Sequence, residues 1–171
     1  MNNLFNHFRM FVWRLCRPVG LVLHKSVLKI RYYRKLRQIR SVWGVRPIRV
    51  IFVVGNLAKW KMQSLLEEMV RSKYYEPIIT VTMMDVERDF PDIRQREIIS
   101  DIHQHFESMG VKCVDAYDVD NKSYFSFEIY SPDIVWYQQP WAIDMIQRPY
   151  TVSRFAITCY VPYFVQNYGC L

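Results

Sequence analysis

One stretch, Ile48 to Lys61 (IRVIFVVGNLAKWK), constrains the fold more than any other. Ile48 to Val54 are apolar apart from Arg49 and are rich in Val and Ile. A short continuous run of that kind, closed by Gly55-Asn56, reads as a buried strand. From Leu57 onward the spacing turns helical. Leu65, Leu66, Met69 and Val70 form its inward stripe, and Glu67 with Arg71 forms an i,i+4 pair outside. Strand, glycine turn and helix in that order open a doubly wound α/β domain.

The rest of the chain repeats that alternation. Glu76 to Thr82 reads as a second strand, and Met84 to Pro91 as a polar connection. Ile93 to Met109 reads as a helix with Ile98, Ile99, Ile102, Phe106 and Met109 inward, and Gly110 is its stop signal. Val111 to Val114 is a short third strand, Asp115 to Lys122 a loop, and Tyr124 to Tyr130 a short helix. Pro132 to Gln138 is a fourth strand, ended by Pro140. Ile143 to Phe155 is partly helical around Pro149, and Ala156 to Val161 is a fifth strand. The fold class is therefore α/β: a Rossmann-like parallel five-stranded sheet with right-handed crossovers and flanking helices, of expected order 3-2-1-4-5.

The net charge of +7 conceals an asymmetry. Residues 1 to 49 hold 12 Lys or Arg and no Asp or Glu, whereas the other 122 hold 11 basic and 16 acidic residues, a net of −5. An ordinary acidic domain (47–171) thus carries a basic arm (1–46), and a general polyanion-binding fold is disfavoured. In the arm, residues 1 to 17 pattern as an amphipathic helix through Leu4, Phe8, Phe11, Val12 and Leu15, broken by Pro18 and Gly20. A second helical pattern runs from about Leu21 to Arg40. The basic residues of the two, Arg9, Arg14, Arg17, Lys25, Lys29, Arg31, Arg34, Lys35 and Arg37, suit a helix lying in the headgroup region of an anionic membrane. Each would contribute about 1 kcal/mol at such a surface before screening. Packing of the helices on a domain is the second reading and RNA binding the third, the least favoured. No run of about 18 uncharged apolar residues spans a bilayer. The apolar blocks of the arm are too short and too charged for a secretory signal.

Ligands of open α/β sheets bind beyond the carboxyl ends of strands, at the switch in strand order. Three such ends carry unusual residues: Gly55, Asn56, Lys59, Trp60 and Lys61 after the first strand; Gln138, Gln139, Pro140 and Trp141 after the fourth; Tyr160 and Tyr163 around the fifth. With order 3-2-1-4-5 the three loops share one rim. Its amides, phenols, indoles and lysines suit hydrogen bonding to, and stacking on, a polyhydroxylated or phosphate-bearing chain. They include no carboxylate–histidine pair for catalysis. Lys59 or Lys61 could hold a phosphate at the helix start, or form a solvated face. Trp60 and Trp141 are ligand contacts or core anchors. If still in the strand, Gln138 and Gln139 point to opposite faces.

The remaining chemistry is sparse. Gly55-Asn56 lacks G-x-G-x-x-G, and no P-loop, H-E-x-x-H or Ser-His-Asp set occurs. Glu97, Asp101 and His105 share an outer helix face, read as a solvated stripe rather than a metal site. His103 has no obvious partner, and His7 and His24 belong to the arm. Cys16, Cys113, Cys159 and Cys170 form no C-x-x-C, and Cys113 and Cys159 fall in strands as packed, reduced thiols, which points to a reducing compartment. No metal is expected.

VVGNLAKWKMQSL, PDIVWYQQPW and AITCYVPYF resemble the N-terminal half of the CDP-glycerol glycerophosphotransferase family, bacterial enzymes of teichoic-acid and capsule polymers. The resemblance covers about Ile48 to Phe164. It implies a GT-B arrangement of two Rossmann-like domains, with the CDP-glycerol donor and the principal catalytic histidines on a C-terminal domain expected beyond Leu171. It gives this chain no cofactor and no catalytic residue. The implied partners are a lipid-linked polymer acceptor, the second domain and the anionic cytoplasmic face of the bacterial membrane. The competing expectation is a non-catalytic α/β module that binds a partner protein or an anionic membrane.

Overall fold

The structure, a computed structural model, describes residues 22–23, 25–139, 141 and 143–160. The expected helix at 1–17, with Arg9, Arg14 and Arg17, lies outside these residues, as do Pro140 and Tyr163. Five parallel strands form one sheet: β1 (Ile48–Val54), β2 (Tyr75–Val81), β3 (Lys112–Asp115), β6 (Ile134–Tyr137) and β7 (Ile157–Tyr160). Their order is β3-β2-β1-β6-β7, which in strand sequence is the expected 3-2-1-4-5, with the switch point between β1 and β6.

β1 is central because both its faces are covered, as a continuous apolar run requires. Val50, Phe52 and Val54 join Leu66, Met69, Ile102 and Phe106 in one core. Ile51 and Val53 join Phe127, Val135, Tyr137, Ile143 and Val152 in the other. Arg49 escapes burial by donating to Glu76 (3.0 Å) and to the Tyr130 carbonyl (2.8 Å).

The first helix begins later than its spacing predicts. Leu57–Lys59 is a single 3-10 turn capped by Asn56, whose Oδ1 accepts from the Ala58 amide at 2.9 Å. Trp60 is then extended, and α2 runs Gln63–Arg71. The break drops the Trp60 ring edge-on against Phe52 (5.7 Å) and Phe106 (4.9 Å), while its indole N–H donates to Gln63. With the register so set, Leu66 and Met69 are buried and Val70 is exposed. Arg71 pairs with Glu68, three residues away, and Glu67 accepts from Gln63 instead.

α3 (Asp92–Glu107) buries Ile102 and Phe106 and stops at Gly110, whose φ of +73° is the left-handed turn glycine allows. The segment read as a loop after β3 contains a small antiparallel hairpin, β4 (Tyr117–Asp118) with β5 (Ser123–Tyr124). Its turn is made by the Asp118 carboxylate, which accepts from the amides of Asp120 and Asn121. The expected helix at 124–130 is a 3-10 turn, Phe127–Tyr130. Another 3-10 turn (Met145–Gln147) and α4 (Pro149–Val152) lead into β7.

The described part of the basic arm is a helix, α1, over residues 25–42. It crosses the amino-terminal edge of the sheet. Its Ile39 is buried near the first residues of β1, β6 and β7, and Lys35 reaches Asp133 just before β6. Trp43, just after it, stacks on Tyr74 at the head of β2 (5.4 Å).

Candidate functional site

The three loops meet as the strand order dictates. Lys59 Nζ donates to Gln139 Oε1 at 3.0 Å, joining the loops that follow β1 and β6. Trp141 lies edge-on to Tyr160, with ring centroids 5.6 Å apart, joining the loops of β6 and β7. Trp141 is half exposed. Gly55 is buried, and a Cβ there would stand 2.8 Å from the Met84 side chain. That glycine is therefore required by packing against the segment after β2. Strand β6 ends at Tyr137, so Gln138 and Gln139 both follow it rather than sharing its pleat. Gln138 is only 5 % exposed, and its Nε2 has no acceptor among the described residues. Trp60 is taken into the core and leaves the rim surface; Lys61 is exposed.

Beneath the rim, Gln147 is fully buried and ties four segments together. Its Oε1 accepts from Thr82 Oγ1 (2.6 Å), and its Nε2 donates to the carbonyls of Ala116 (2.7 Å) and Phe125 (3.0 Å). Its own carbonyl accepts from the Tyr137 hydroxyl (2.7 Å). Burial pushes the Tyr137 phenol pKa up, which keeps it a donor.

A second recess, of ≈ 590 Å³, opens beyond β3 and was not legible in the sequence; Arg96, His103, Asp115, Tyr117 and Asp120 are among its walls. The expectation that His103 lacks a partner is overturned. Its Nδ1 faces Glu107 and its Nε2 faces Asp115, each at 2.8 Å. Burial lowers its pKa, but the two carboxylates outweigh that and raise it above the ordinary value. A raised folded pKa gives stability that is complete below the unfolded value, about 6.5, and lost as pH rises through the folded one. An NMR titration should place the His103 midpoint above 6.5, and His103→Gln should remove that part of the alkaline loss. A midpoint at or below 6.5 would show that burial dominates.

His103, Glu107 and Cys113 bring donor atoms within 4.8 Å of one another. Burial, with Glu107 and Asp115 nearby, pushes the Cys113 thiol up to about 12, and both imidazole nitrogens already face carboxylates. The hydrogen bonds within this group are those of the imidazole to its two carboxylates. Cys113 and Cys159 are free thiols in their strands.

Of the basic residues expected at a membrane, Lys25, Lys29, Arg34 and Arg37 are exposed, and Arg31 and Lys35 are half-buried. Arg31, Arg34 and Lys35 line a cleft facing the α/β domain. The same helix exposes Val27, Ile30, Tyr32 and Tyr33, and Val22 and Leu23 ahead of it are exposed as well. Among the described residues no helix is long and apolar enough to cross a membrane. Compared with family models, curated proteins and solved structures, the chain matches none of them.

Proposed function

We propose that this chain is the acceptor-side domain of a CDP-glycerol-type glycerophosphotransferase or a related polymer glycosyltransferase, working at the cytoplasmic surface of the bacterial membrane. The observation that carries the reading is the buried Gln138 amide. Its unused donor lies at the β1–β6 switch point, beside the Lys59–Gln139 bridge, where an open α/β sheet holds its ligand. A buried unmet donor is costly, about 1–3 kcal/mol, and a hydroxyl or phosphate oxygen of an acceptor would satisfy it. The three segments that resemble the family also fall on the three strands whose loops converge there.

The described rim offers amides, a lysine, an indole and a phenol, and no carboxylate–histidine pair. Its work is to hold a chain and orient its terminal hydroxyl. In the family chemistry that hydroxyl attacks the β-phosphorus of CDP-glycerol, gives up its proton, and CMP leaves. The donor and the catalytic histidines belong to the second domain that the resemblance implies. Strand β1 is seven residues long, so at about 3.3 Å per residue the rim stands about 20 Å from α1. That separation favours the free end of a lipid-linked polymer at the rim over its lipid end. The described arm thus lies at the edge of the sheet opposite the rim.

Titration with a lipid-linked glycerophosphate acceptor tests the rim. Gln138→Ala and Trp141→Ala should each weaken binding about tenfold, equal to about 1.4 kcal/mol. Trp60→Ala should act through stability instead. Unchanged affinity in both rim variants, with the fold intact, would remove the acceptor from this rim. A non-catalytic membrane-binding module is the second reading, favoured by the exposed apolar and basic side chains of α1. It predicts binding to anionic vesicles with no acceptor binding at all.

A further inference from the structure

Arg31, Arg34, Lys35 and Arg154 line a single cleft of ≈ 470 Å³ between α1 and the turn entering β7, completed by Gln38 and Phe155. The first three share one side of α1 with Gln38 by helical spacing at i, i+3, i+4 and i+7, and Arg154 comes from across the cleft. The charges there are poorly compensated. Arg31 is fixed by neutral groups: it donates to Ser153 Oγ (3.2 Å) and the Tyr150 carbonyl (3.5 Å) and lies over the Tyr150 ring. Lys35 has Asp133 at 3.5 Å, but that carboxylate already takes both arms of Arg46 and the Arg49 amide. Arg34 and Arg154 have no acidic partner among the described residues. Four like charges facing one recess repel unless an anion enters it. Guanidinium groups present paired donors that match phosphate oxygens.

We infer that this cleft binds a phosphate ester, with Arg34 and Arg154 as its free donors and Arg31 and Lys35 as its fixed wall. Its volume falls within the range of small-molecule sites and accommodates a glycerophosphate headgroup. Two sources share that chemistry: an anionic phospholipid, or a soluble glycerophosphate. The exposed apolar side chains of the same helix favour the lipid, a choice that rests on the membrane part of the reading above; the cleft itself does not.

The test uses the full chain and two double variants that remove equal charge. Arg34→Gln/Arg154→Gln alters the cleft, and Lys29→Gln/Arg37→Gln alters exposed positions of α1. Unpartnered surface arginines leave the fold undisturbed, which equal unfolding midpoints check. Binding of sn-glycerol 3-phosphate is measured by calorimetry, and flotation is measured with phosphatidylglycerol and phosphatidylcholine vesicles. Each charge removed near an anionic surface costs about fivefold wherever it sits, so the two doubles lose alike by charge alone. The expected result is that the cleft double loses soluble phosphate binding, which the other double retains, and loses at least tenfold more vesicle binding. Loss of soluble binding with equal vesicle losses supports the cleft and assigns it a soluble ester. Equal losses in both assays, or vesicle losses alone and equal, overturn it. Acceptor binding at the rim, followed through Gln138→Ala, is read separately, so failure of one leaves the other standing.

Discussion

Replacing Asp133 with alanine should lower stability by about 3 kcal/mol, the lower end for breaking a buried ion pair, because Arg46 and Lys35 can still reach water. Asp133 is 1 % exposed and joins three parts of the chain. Arg46 donates to both its oxygens (2.7 and 3.0 Å), the Arg49 amide donates at 3.0 Å, and Lys35 stands at 3.5 Å. Its own amide and carbonyl bond to Arg49 and Ile157. The side chain therefore fixes α1, the start of β1 and the start of β6 at once. In urea, with a slope of about 2 kcal/mol per M, the midpoint should fall by about 1.5 M. The acid dependence has a definite sign. Burial raises the Asp133 pKa, but the hydrogen bonds from Arg46 and the Arg49 amide, with the charge of Lys35, bring it below the ordinary carboxylate value. A depressed folded pKa gives stability that is full above about pH 3.9 and lost as pH falls through the folded value. Asp133→Asn should flatten that acid limb. An unchanged limb would mean that another carboxylate governs it.

Local pattern and long-range pairing were unequally readable in this chain. β1 was legible because a strand covered on both faces must be apolar throughout, and the order of the sheet followed from short right-handed crossovers. The convergence of the Lys59, Gln139, Trp141 and Tyr160 loops followed from that order alone. Trp60 was ambiguous, since an indole beside a glycine turn serves ligand or core equally, and the choice depends on Phe106 being within reach. The 117–124 hairpin was missed because strands of two residues carry no alternation. The pairings that matter most join residues far apart: Asp133 with Arg46, His103 with Asp115, and Arg34 facing Arg154. Periodicity reports what lies on one face of one element, and says nothing about which charge arrives from another. The arm shows the same limit. Its basic residues are plain in the sequence, but which of them meet the turn at 153–155 depends on how that turn packs against the helix.

Gln147→Leu should cost about 3 kcal/mol although leucine fills nearly the same volume. The loss lies in the partners left behind. Thr82 Oγ1 is fully buried and loses its acceptor, and the Phe125 carbonyl loses its donor. The Ala116 carbonyl retains the Phe125 amide at 3.0 Å. The buried Thr82 hydroxyl, orphaned at about 1–3 kcal/mol, sets most of the effect, and the part-buried Phe125 carbonyl adds to it. Because Gln147 joins the segment after β2, the hairpin and the turn entering α4, loss of protection in hydrogen exchange should extend to the amides of 116–125. Gln147→Glu sharpens the test. A carboxylate would face two carbonyls in a buried site, so its pKa is raised and the folded state takes up a proton. Stability of this variant should therefore increase from pH 7 to pH 5, opposite to the acid response that Asp133 confers. A Gln147→Leu variant as stable as the parent would show that water replaces the amide. The rim would then rest on β1 and β6 alone.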